Sequence, residues 1–99
     1  MKRYAIILDD FTPSHADGLT AALNLLKFDN WHRIQNIWLC LTDDGMTAND
    51  LKGKLRPFIG NSSILVLECS REFSSYLPIG WADWISGDWH AKKLPDGTK

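Results

Sequence analysis

Two pairs of carboxylates each close an apolar run. Asp9-Asp10 follows Tyr4-Ala5-Ile6-Ile7-Leu8, and Asp43-Asp44 follows Ile37-Trp38-Leu39-Cys40-Leu41-Thr42. Aspartates gathered at one sheet edge are the hard oxygen donors that Mg²⁺ or Mn²⁺ takes, and such a metal activates water for phosphoryl chemistry. The two runs are expected to be adjacent, parallel strands, ~4.8 Å apart, so that all four carboxylates share one rim, with His15 and Asp17 close by. The competing account is that each pair precedes a helix, where acids satisfy free amides and the helix dipole. No lysine or arginine accompanies the four to hold a phosphate, which favours the second account.

Other catalytic patterns are missing. The seven glycines are scattered singly, so no loop cradles a phosphate. His15, His32 and His90 show no i, i+4 metal spacing, and none sits beside a cysteine or serine in a nucleophile motif. His32-Arg33 reads as a solvent-facing pair on an edge strand. Cys40 and Cys69 lie inside apolar runs without metal-ligand spacing and read as buried small side chains. No resident cofactor is expected; Mg²⁺ or Mn²⁺ at Asp9, Asp10, Asp43 and Asp44 is the alternative.

The elements that must position these residues follow from punctuation and periodicity. Tyr4 to Leu8 is a short continuous apolar run, the mark of a covered strand. Thr12-Pro13-Ser14 supplies helix-start chemistry. Ala16, Leu19, Leu23 and Leu26 then recur at helical spacing, predicting a helix from about 14 to 28. Trp31 to Ile34 and Ile37 to Leu41 read as strands around a Gln35-Asn36 turn. Thr47 with Asp50 marks a second helix start, with Leu51, Leu55, Phe58 and Ile59 as its inner stripe; Pro57 lies near its last turn and Gly60 closes it. Ile64 to Leu67 is the clearest strand. Phe73 to Ile79 reads as extended, and Gly80 opens a short helix carrying Trp81, Trp84, Ile85 and Trp89. The order strand-helix-strand-strand-helix-strand predicts an α+β, ferredoxin-like βαββαβ sandwich, a four-stranded antiparallel sheet with two helices on one face. Its core spans about 3–70, an appendix 73–90 and a polar tail 91–99.

Composition bounds the rest. Ninety-nine residues with 44% hydrophobic and 23% charged make one domain with one core. A formal charge of -1 argues against nucleic-acid binding by bulk electrostatics. No run approaches the ~20 apolar residues of a membrane span, so a cytoplasmic chain is expected.

Several pieces together resemble a known group. The first strand ending in Asp9 looks like the opening of the small CRISPR-associated adaptation protein. The strand Asn36-Ile37-Trp38-Leu39, the helix ending Leu55-Arg56-Pro57-Phe58-Ile59, Ile64-Leu65-Val66-Leu67-Glu68 and Trp81-Ala82-Asp83-Trp84-Ile85 resemble the SinR-like bacterial proteins, relatives of that group. These pieces cover roughly residues 3 to 86. The resemblance implies a ferredoxin-like homodimer. In some CRISPR-associated members the aspartate ending the first strand holds a divalent metal across the dimer axis for phosphodiester cleavage, and only Asp9 carries that over. The basic residues often found just after that strand are replaced here by Asp10-Phe11-Thr12-Pro13.

Three functions are therefore weighed: a non-catalytic dimeric module that binds a protein partner, a weak metal-dependent endonuclease using Asp9, and an inhibitor of a defence complex acting through its acidic rim. The expected interface is Phe73, Tyr76, Trp81, Trp84 and Trp89. There, an extended 73–79 segment would pair with a partner's sheet edge while the tryptophans pack across the joint. The alternative for the tryptophans is closure of the chain's own sheet.

Overall fold

The computed structural model describes residues 1–9, 13–70 and 72–90. Asp10 and the polar tail 91–99 lie outside the described residues. The elements run β1 (Lys2–Leu8), α1 (Pro13–Leu25), β2 (Asn30–Ile34), β3 (Ile37–Thr42), α2 (Ala48–Ile59) and β4 (Ile64–Cys69). They form a four-stranded sheet in the order β2-β3-β1-β4 with every neighbouring pair antiparallel. Both helices lie on one face, so the chain is an α+β, ferredoxin-like βαββαβ sandwich.

Alternation along the strands sorts the side chains. Tyr4, Ile6 and Leu8 of β1 and Trp38 and Cys40 of β3 point to the helices. There they meet Leu19 and Leu23 of α1 and Leu51, Leu55 and Ile59 of α2, all fully buried. Two polar groups enter this core with partners. The Tyr4 hydroxyl donates to the Met46 carbonyl at 2.6 Å, and the Trp38 indole donates to the Thr20 hydroxyl at 2.9 Å. The ring of His32 stacks on Trp38 with centroids 3.8 Å apart.

The helix ends follow their local chemistry. At α2, Thr47 and Asp50 form a reciprocal capping box, as their spacing predicts. Pro57 sits within the last turn of α2 and Gly60 closes it at φ 59°. Helix α1 stops three residues short of the expected Phe28. Lys27 takes the left-handed conformation at φ 63°, and the Phe28 amide donates back to the Leu23 carbonyl at 3.0 Å. That is the Schellman closure, with lysine where glycine is favoured. The helices cross closely at Gly18, where an added Cβ would lie 2.6 Å from the Phe58 carbonyl oxygen.

After β4 the chain turns onto the sheet face opposite the helices. Residues 72–77 carry no regular secondary structure and 78–79 enter a turn, so the segment expected to be extended forms no strand within the chain. A helical turn of the wide π type, Ile85–Trp89, ends the described residues. Ile85 and Trp89 join Trp31 and Leu41 in a second, smaller core beside Leu39, Cys69, Leu77 and Trp84. Arg3 Nε donates to the Trp89 carbonyl at 2.6 Å, and the Trp31 indole donates to the Trp81 carbonyl at 2.7 Å.

Candidate functional site

Of the four carboxylates, the three that are described do not share a rim. Strands β1 and β3 are adjacent but antiparallel, with Lys2 opposite Thr42 and Ile7 opposite Ile37. Asp9 therefore leaves one end of the sheet while Asp43 and Asp44 leave the other, roughly 20 Å away at the rise of a strand. The expectation of a four-carboxylate edge rested on a parallel sense for these two strands. In the split β-α-β arrangement each helix returns the chain to a strand two places away, so the intervening neighbour runs the opposite way.

Each acid has local company instead. Asp44 pairs with the terminal ammonium of Met1. A carboxylate oxygen of Asp43 accepts from the Gly45 amide at 3.1 Å, shaping the turn into α2. Asp9 is exposed, and its amide donates to the Ser63 carbonyl at 3.0 Å. Near that end, His15 Nδ1 and the buried Ser62 hydroxyl lie 2.8 Å apart. Arg56 donates to the carbonyls of Gly60 and Ser62 at 2.6 and 2.8 Å. These contacts tie the loop after α2 to the first turn of α1. Among the described residues, no three His, Cys, Asp or Glu side chains come together in a metal-holding group.

The two thiols lie on opposite sheet faces. Burial pushes the Cys40 thiol up to about 12, with the nearby Cys69 adding to the shift. Burial also raises Cys69, less completely enclosed on the open face. Both are free. They are packing residues, as their apolar flanks suggest.

The tryptophans divide. Trp89 is 3% exposed and packs on the chain's own sheet, and Trp81 and Trp84 are half-buried beside it. Trp89 is thereby removed from the expected partner surface, and self-closure is its role. Its indole Nε1 has no hydrogen-bond partner, a cost of about 1–3 kcal/mol that the surrounding apolar packing must offset. Phe73 and Tyr76, from the same expected set, are exposed, and Tyr76 and Ile79 project fully into solvent. Between segment 72–77 and the sheet runs an open cleft of about 460 Å³, with Trp31, Leu39, Cys69 and Phe73 among its walls.

The described part of the C-terminal segment covers one portion of the open face. Beyond it, Leu65 and Leu67 of β4 are 51% and 45% exposed, and Ile34 of β2 is exposed at the opposite edge. The two edges also differ in their guard. Strand β2 carries His32 and Arg33 and is interrupted by a bulge between Trp31 and Ile34. Those are the usual devices against stray pairing. Strand β4 reads Ile-Leu-Val-Leu-Glu-Cys, with one charge, no proline and no break in its register with β1. The sequence marked β4 as its clearest strand but did not identify its exposed edge. The available signal was the sheet order, which makes a fourth strand in this arrangement an edge.

No helix among the described residues is long and apolar enough to cross a membrane. No family model matches the chain, and neither a curated protein nor a solved structure matches it.

Proposed function

We propose that this chain is a small, non-catalytic ferredoxin-like binding module that works as a homodimer in the cytoplasm and engages a protein partner. The SinR-like and CRISPR-associated relationship belongs to the same proposal and rests on the sequence pieces described above. The observation that carries the reading is the apolar surface left by the fold: Leu65 and Leu67 exposed on an unguarded edge strand, with Phe73 and Tyr76 exposed on the segment that follows. Exposed apolar patches of this kind mark association surfaces. The separation of Asp9 from Asp43 and Asp44 removes the geometric basis for an inhibitor acting through one acidic rim. The endonuclease reading, which uses Asp9 from each copy, does not depend on Asp43 or Asp44. A charge of -1 supports weak non-specific nucleic-acid binding, near or above ~10⁻⁴ M at physiological salt. Two free thiols suit a reducing compartment.

The test pairs a surface variant with an activity assay. Leu65→Lys with Leu67→Lys changes side chains that are exposed in one copy, so the fold should survive while the solution mass falls to that of a single chain. Incubation of wild type with DNA and RNA and Mg²⁺ or Mn²⁺ should give no cleavage beyond that of Asp9→Asn. Hydrolysis that Asp9→Asn abolishes with its fold intact would establish the endonuclease reading in place of this one.

A further inference from the structure

The backbone hydrogen bonds specify how β4 meets a partner. The Asp9 amide donates to the Ser63 carbonyl at 3.0 Å, which sets the phase of the β1–β4 ladder. In an antiparallel pair, successive residues alternate between turning their N–H and C=O toward the neighbouring strand and away from it. Leu65, Leu67 and Cys69, in phase with Ser63 and opposite Ile7, Ala5 and Arg3, therefore spend theirs on β1. Ile64, Val66 and Glu68 turn theirs outward along the edge. The same alternation sends Leu65 and Leu67 to the open face, where they are exposed.

We propose that β4 pairs antiparallel with β4 of a second copy, with Val66 on the two-fold axis, joining the two sheets into one of eight strands. The inference rests on the homodimer reading above and names its surface. A two-fold axis through the sheet keeps each side chain on its own face, so residues may pair only when their numbers sum to an even value. Centring on Val66 places Val66 opposite the partner's Val66, and Ile64 opposite the partner's Glu68. All outward-facing groups of β4 are then used, in six hydrogen bonds by the pairing rule. On the open face, Leu65 lies beside the partner's Leu67, twice, and four exposed leucines become mutually covered. Other centres do worse. Centring on Glu68 sets two carboxylates against each other, centring on Ile64 or Leu65 demands the buried Ser62, and centring on Leu67 carries the pairing past β4 to Ser70. Edge-to-edge association of a self-complementary strand is an isologous contact that closes after two copies.

Cysteine exchange reads this register directly. In a Cys69→Ser background, Leu65→Cys and Leu67→Cys are prepared as separate proteins, mixed, and oxidised under mild conditions. Directly opposite, non-hydrogen-bonded residues have Cα atoms about 4.5 Å apart, within disulfide reach. The expected result is a covalent dimer from the mixture and little from either variant alone. Self-linking of Leu65→Cys or of Leu67→Cys would overturn the Val66 register. A non-covalent dimer by light scattering, with no linking in the mixture, would overturn the β4 edge while leaving the homodimer standing. A monomeric mass for wild type would overturn both.

Discussion

Tyr4 and Cys40 stand opposite one another on β1 and β3, and each makes a measurable commitment to the core. The Tyr4 hydroxyl bridges the sheet to the turn before α2 through the Met46 carbonyl. Tyr4→Phe keeps the ring's packing but leaves that buried carbonyl unpaired, so urea denaturation should show a loss of about 1–3 kcal/mol. Cys40 makes its contribution through pH. Its folded value of about 12 exceeds its ordinary 9.0, so between these values the unfolded chain releases a proton that the folded chain retains. The unfolded state then binds fewer protons, and stability must fall as pH rises through this window. Burial, with Glu68's charge adding, raises Tyr4 from 10.0 and acts in the same direction. Denaturation midpoints should therefore decline from pH 9 upward, and Cys40→Ala, though less stable at pH 8, should show a shallower decline. The identity of these residues as core was legible from their apolar flanks. The separation of the aspartates was also implied by the element order, which makes β1 and β3 antiparallel neighbours; the parallel sense expected for them was a misreading of that topology.

At the level of elements, α1 contains two features that propensity alone misjudges. Gly18 in mid-helix ought to be improved by alanine, which gains up to about 1 kcal/mol on propensity. Here the new Cβ would sit 2.6 Å from the Phe58 carbonyl oxygen, in backbone that cannot swing aside. Gly18→Ala should instead lower the melting temperature by loosening the α1–α2 crossing. Lys27 presents the reverse case. It holds a left-handed conformation that costs a non-glycine residue roughly 1–2 kcal/mol. Lys27→Gly should raise the melting temperature, since the Schellman closure needs the backbone angle and the lysine side chain is exposed. The helices and strands were readable because capping at Thr47, the Gln35-Asn36 turn and the stripes of Leu19 and Leu23 are local signals. The close approach at Gly18 is tertiary, and nothing in one helix's sequence announces it. Trp89 illustrates the same limit: its aromatic spacing was legible, but whether that face covered its own sheet or another copy's depended on where segment 72–79 carried it.

For the whole molecule, the fold solves one half of a problem and leaves the other. Helices cover one sheet face, and the turn bearing Ile85 and Trp89 covers one end of the other face. What remains is β4, apolar and unguarded, beside a second edge that is charged and bulged. That asymmetry suits the proposed pair better than an open polymer, because among the described residues β4 is the unguarded edge. Light scattering on the full chain, across a dilution series from high to low micromolar, measures this most directly. The expected mass is twice 11.2 kDa at high concentration, falling toward 11.2 kDa on dilution if the pair is weak. A mass of 11.2 kDa that holds at high micromolar concentration would contradict the account.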